Sequence, residues 1–115
     1  MKYITRVLGL FIILTSLALS QKSAIKEEKF LVYGNCGMCK DRIEKAVKIK
    51  EVKFARWDKK LKYLTLAYFS ESITLDSLKK RIAAAGHDNE KYKAPDSVYQ
   101  NLPKCCLYRD KSSTH

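Results

Sequence analysis

Two thiols three residues apart open the chemistry of this chain. They are Cys36 and Cys39 in the stretch NCGMC, residues 35–39. A C-x-x-C pair brings two sulfurs within a few ångströms. Thiolates are soft donors that select Cu(I), Zn(II) and other thiophilic ions. Two sulfurs suffice for a roughly linear Cu(I) or Hg(II) site, whereas structural zinc wants four ligands. The pair follows the apolar run Phe30-Leu31-Val32-Tyr33 and precedes the helical pattern of KDRIEKAVKIK. Cys39 is therefore expected at a helix N-terminus, where unpaired N–H groups and the helix dipole favour thiolate. Gly34 and Gly37 let the loop bend and keep a bound ion accessible. Such a site suits exchange rather than permanent storage.

Two further thiols, Cys105 and Cys106, lie in LPKCCLYRD near the C-terminus. Bonding within either local pair would close only a tiny loop and constrain the unfolded chain little. Adjacent cysteines can bond to each other only with strain, while a bridge between the two pairs would be a real staple. Lys93 and Cys105 are twelve positions apart, up to about 40 Å fully extended. The tail can thus fold back to bring Cys105 and Cys106 to the first pair, with three or four sulfurs around one ion. The alternatives are a second, independent soft-metal site on a disordered tail, or a disulfide. No acid–base pair and no Ser/His/Asp set appears in the sequence, so no catalysis is expected.

The elements that must position these residues can be read from periodicity. Residues 1–20 are expected to be a secretory signal: Lys2 and Arg6 precede the apolar stretch from Val7 to Leu19, and Ala18 and Ser20 supply small residues before a cleavage at Gln21. That stretch is short for a membrane span, so no stable span is expected after cleavage. The product, about 95 residues long, would be one small domain, periplasmic or secreted. Residues 21–28 read as a flexible lead-in and 29–33 as a strand. Residues 40–50 read as a helix with Ile43, Ala46 and Val47 on one face, and 51–58 as a strand with a bulge between Phe54 and Ala55. Asp58-Lys59-Lys60 is a turn and 61–69 a strand with Leu64, Leu66 and Tyr68 on one side. Thr74 caps a second helix that Gly86 stops. A final strand runs over 87–93, and Asp96 caps one short turn before Pro103. Strand, helix, strand, strand, helix, strand is the α+β ferredoxin-like plan: two helices over a four-stranded antiparallel sheet. Its centre should be Ile43, Val47, Trp57, Leu66, Leu78 and Ile82. Residues 94–115 form a Cys-containing tail, with Tyr92, Tyr99 and Tyr108 as packing for it.

GNCGMCKDRIEKAV, the six-element order, and AAAGHD after the second helix resemble the heavy-metal-associated domain. That family includes copper chaperones, metal-binding modules of copper-transporting ATPases and the periplasmic mercury-binding protein. The likeness covers about residues 27–93, with the domain itself placed at 29–93. The family's loop is G-M-x-C-x-x-C, and its cysteines fall on Cys36 and Cys39. The Met two places before the first Cys, chiefly a packing residue in the family, is Gly34 here. The loop's Met is Met38, read as packing or exposed, with a weak thioether contact as the alternative. The resemblance implies binding of Cu(I) first, with Hg(II) or Zn(II) behind it, and transfer by thiolate exchange. It also places His87 at the same end of the sheet as the C-x-x-C loop. There His87 is a third ligand, a group whose protonation tunes release, or an exposed turn residue.

The formal net charge of +11 falls to +9 without Lys2 and Arg6. The basic residues are spread over every segment and form no stripe, so nucleic acid is not the expected partner. A metal-transporting or metal-accepting protein with an acidic docking face is. The competing function for C-x-x-C is thiol–disulfide redox chemistry. It is normally carried by a thioredoxin fold, whose element order and length this chain does not match.

Overall fold

The structure, a computed structural model, describes residues 24–110. The expected signal segment, the start of the lead-in and His115 lie outside the described residues. Strand β1 spans Ile25–Leu31, helix α1 Gly37–Ala46, β2 Val52–Trp57, β3 Tyr63–Phe69, α2 Leu75–Ala84 and α3 Asp96–Gln100, and a 3-10 turn covers Lys104–Cys106. The three strands form one antiparallel sheet in the order β1-β3-β2. Central β3 carries the most apolar sequence, YLTLAYF, because it is flanked on both edges. Leu64, Leu66 and Tyr68 alternate onto the helix side and are buried, as a half-covered sheet requires. The bulge in β2 falls between Val52 and Phe54, slightly earlier than the alternation suggested.

The strands differ from the expected plan at two ends. β1 begins at Ile25, so residues 25–28 are sheet and not a flexible lead-in. Its full length pairs with β3 from Ile25↔Phe69 to Leu31↔Tyr63. The final strand expected over 87–93 is reduced to one isolated bridge, Val32↔Asn89, so the described sheet has three strands where four were expected. The cause is Asn89. Its Oδ1 accepts from the N–H groups of Lys91 and Tyr92, and its Nδ2 donates to the Lys79 carbonyl. This side-chain-directed turn bends the chain away from β1 before a ladder can form.

The helices sit on the buried face. Thr74 Oγ1 accepts from Ser77 N–H and starts α2, and Asp76 follows in its first turn. α1 stops at Ala46, short of residue 50. Trp57, Ile43, Val47, Leu66, Leu78 and Ile82 are each at most 1% exposed, as the helical and strand spacing implied. Cys39 and Cys106 join them in the same core at 0% exposure. Gly86 ends α2 at φ +111°, a conformation costly for any residue with a Cβ.

A candidate thiol metal centre

The loop from Val32 to Cys36 leaves β1 and delivers Cys36 to the N-cap position of α1, with extended backbone at φ −131° and ψ 177°. The helix that follows turns Cys39 inward beneath it. Cys36 Sγ lies 3.4 Å from Cys39 Sγ. The 3-10 turn brings in the second pair. Cys36 Sγ is 3.1 Å from Cys105 Sγ and 3.5 Å from Cys106 Sγ, and the two C-terminal sulfurs are 3.9 Å apart. The ligand atoms of Cys36, Cys39 and Cys106 all lie within 4.8 Å of one another. All four thiols are free.

The corner is more closed than the sequence implied. Cys39 and Cys106 are fully buried, Cys36 is half-buried, and Cys105 is exposed. An ion would enter past Cys36 and Cys105. Gly37 borders open space there. Met38 is half-exposed, its Sδ 3.7 Å from Cys105 Sγ.

The electrostatics differ from thiol to thiol. Burial acts to raise the Cys36 pKa. Contacts with the Cys105 thiol, the nearby Cys39 N–H and the Cys39 and Cys106 thiols outweigh it, and Cys36 is lowered to about 6. Its sulfur makes no formal capping hydrogen bond. Burial pushes the Cys106 thiol well up. The neighbouring Cys36 thiol raises Cys105. A cation reaches the cluster: Arg42 Nη1 donates to Cys106 Sγ at 3.3 Å. Nothing in the sequence marks Arg42 out, though it sits one helical turn after Cys39, on the face that rises from the loop.

The space under the loop is filled by Trp57. A Cβ at Gly34 would lie 3.1 Å from the Trp57 ring and 3.0 Å from Cys39 Cβ. The indole thus fills the room where a side chain at position 34 would pack. Its Nε1 donates to the Val32 carbonyl at 3.0 Å, tying β2 to the base of the loop.

His87 is neither in an exposed turn nor in the sulfur cluster. It is fully buried. Its Nδ1 faces the Tyr33 carbonyl at 2.8 Å, an acceptor that assigns the ring proton to Nδ1. Nε2 has no partner. Burial lowers its pKa and keeps the ring neutral. The close three-residue group of possible ligands does not include it.

The ring instead stacks on Tyr108 with centroids 5.5 Å apart. Tyr108 and Arg109 fasten the C-terminal segment to this region. Tyr108 Oη donates to the Gly86 carbonyl and accepts from Asp88 N–H. Arg109 grips the Asp88 carboxylate with Nε at 3.0 Å and Nη2 at 2.7 Å, reaches Asp96 with Nη1, and lies 4.2 Å over the Tyr99 ring. Tyr99 and Tyr108 do pack this segment. Tyr92 turns elsewhere, donating to Asp76 Oδ1.

No protein-family model matches this chain, and no curated protein sequence does. Solved structures do. The CopZ metallochaperone is 26% identical, with a TM-score of 0.53 over 56% of this chain and 98% of its own. The N-terminal domain of a potential copper-translocating P-type ATPase from Bacillus subtilis, solved in its Cu(I)-loaded state, is 26% identical, with a TM-score of 0.55 over 65% of this chain and 96% of its own. A proposed copper-ion-binding protein from Bacillus anthracis strain Ames shares the fold at a TM-score of 0.57 and 24% identity, over 60% of this chain and 100% of its own. The resemblance to heavy-metal-associated domains thus holds in three dimensions.

Proposed function

We propose that this chain is an exported soft-metal-binding protein that takes up Cu(I) and holds it or hands it on by thiolate exchange. The observation that carries this reading is the sulfur cluster itself: Cys36 and Cys39 at 3.4 Å, at the start of a helix, on a fold shared with copper-binding domains. Soft sulfur donors favour Cu(I), and Hg(II) stands close behind it. Zn(II) becomes a fuller competitor than the sequence implied, because Cys105 and Cys106 bring the local sulfurs to four.

Delivery proceeds without catalysis. A thiolate of an accepting protein enters at the Cys36 side, one metal–sulfur bond forms as another breaks, and no oxidation state changes. A basic chain docks most readily on a metal transporter or acceptor with an acidic face. Export rests on the N-terminal pattern. Among the described residues no helix is long and apolar enough to cross a membrane.

The thiol-redox alternative draws on the lowered Cys36 pKa, but the fold is not that of thioredoxin. An anaerobic titration of the reduced chain with Cu(I), Hg(II) and Zn(II) tests the proposal. We expect stoichiometric Cu(I) binding that disappears in the Cys36→Ser, Cys39→Ser double variant. Unchanged affinity in that variant would show the reading to be wrong. Insulin-reduction activity with weak metal binding would favour the redox reading.

A further inference from the structure

The C-terminal segment places Cys105 and Cys106 beside the first thiol pair and is fastened by Tyr108 and Arg109. A metal–sulfur bond is about 2.3 Å, so a linear two-thiolate ion needs its sulfurs about 4.6 Å apart and a trigonal ion needs about 4.0 Å. Cys36 and Cys39 stand at 3.4 Å and Cys36 and Cys106 at 3.5 Å. The smaller adjustment leads to the trigonal arrangement. Cys106 is fixed for that position. It is fully buried in the core, and it follows a Pro103 turn in which its N–H bonds the Pro103 carbonyl at 2.8 Å.

Three thiolates around a monovalent cation leave two net negative charges. The Arg42 guanidinium on Cys106 Sγ opposes them. The segment carrying Cys106 is held from the other side by Tyr108 on Gly86 and by the two-pronged Arg109 grip on Asp88.

Resting on the Cu(I)-binding reading above, we infer that residues 95–110 form an internal ligand arm: Cys106 completes a three-thiolate site with Cys36 and Cys39, its charge partly offset by Arg42 and its segment latched by Arg109, so the ion is retained until the arm lifts. On loading, each of Cys36, Cys39 and Cys106 that still carries its thiol proton gives it to solvent as its metal–sulfur bond forms. On release the Cys106 bond breaks, an acceptor's thiolate takes the vacated position, the Cys106 sulfur takes a proton from solvent, and the ion stays Cu(I) throughout. Cys105, exposed at 3.1 Å from Cys36, lies on the outer side of the site where the ion arrives.

The test is X-ray absorption on the full chain loaded with one equivalent of Cu(I), with the rate of Cu(I) release to an excess of a chelating probe. The wild type should show three sulfurs per copper. Cys106→Ser should show two and release Cu(I) at least tenfold faster. Arg109→Met keeps every thiol and should speed release similarly. Cys105→Ser should keep three sulfurs per copper, and a fall to two there with three in the wild type would give the third position to Cys105 and overturn the arm. Two sulfurs in the wild type, or wild-type release rates in both Cys106→Ser and Arg109→Met, would overturn the arm while leaving Cu(I) binding intact. A wild type that binds no Cu(I) would overturn the earlier reading instead.

Discussion

Replacing Trp57 by Phe probes how the thiol loop is supported. The side chain is 1% exposed and fills the core beneath Gly34. Phe hangs a single ring from Cβ and loses the outer edge of the indole, including the Cζ2 and Cη2 atoms beneath Gly34, together with the N–H. The removed atoms leave a void, costing about 1–1.5 kcal/mol for a partial truncation of this kind. The Val32 carbonyl also loses its Nε1 donor, and a buried acceptor left without a partner costs about 1–3 kcal/mol. Together these give about 2–4.5 kcal/mol, roughly 8–36 °C in Tm for a domain of this size. Urea unfolding of the metal-free protein, followed by far-ultraviolet circular dichroism, measures it. A companion change tests the packing argument. Gly34→Ala should destabilise the wild type, since its Cβ meets the indole at 3.1 Å. It should be better tolerated in the Trp57→Phe background, with a coupling of about 0.5 kcal/mol or more. A loss under about 0.5 kcal/mol for Trp57→Phe, or strict additivity with Gly34→Ala, would refute the idea that the indole supports the loop.

Two further outcomes are expected. Gly86→Ala must place a Cβ at φ +111° and 2.9 Å from Leu102 Cδ2. It should cost about 1–3 kcal/mol in thermal or urea unfolding, and a loss within about 0.5 kcal/mol would contradict the strain assigned to this position. Burial opposes the charge on Asp88, but Arg109, the Ala94 N–H and Tyr108 outweigh it and hold its pKa below the usual carboxylate value. A depressed carboxylate contributes stability above its unfolded pKa of about 3.9, lost as pH falls through the folded value. Acid unfolding of Asp88→Asn should therefore be shallower than that of the wild type below about pH 4, and parallel curves would show that Asp88 contributes nothing there.

Much of the framework is legible in the sequence because it is periodic. Leu64, Leu66 and Tyr68 alternate, Ile43 and Val47 recur at helical spacing, and Thr74 and Gly86 mark their helix. What escapes the sequence depends on partners distant along the chain. Lys26, Glu27 and Glu28 look like a solvated lead-in, and only pairing with β3 makes them strand. Asn89 breaks the fourth strand with its side chain, which apolar alternation does not register. The C-x-x-C pair announces itself by spacing, and chain length alone allows Cys105 and Cys106 to reach it. Their actual approach comes with contacts that no local pattern announces, such as Arg109 on Asp88 across twenty-one positions. His87 reads as a turn residue or a ligand because neither burial nor its stack on Tyr108 leaves a local pattern.

Cys36 and Cys106 meet across seventy positions of sequence. A ribosome working at about 5–20 residues per second exposes the first sulfur pair on the order of ten seconds before the third partner exists. A nascent polypeptide therefore presents Cys36 and Cys39 without Cys106 until some seventy further residues have been added.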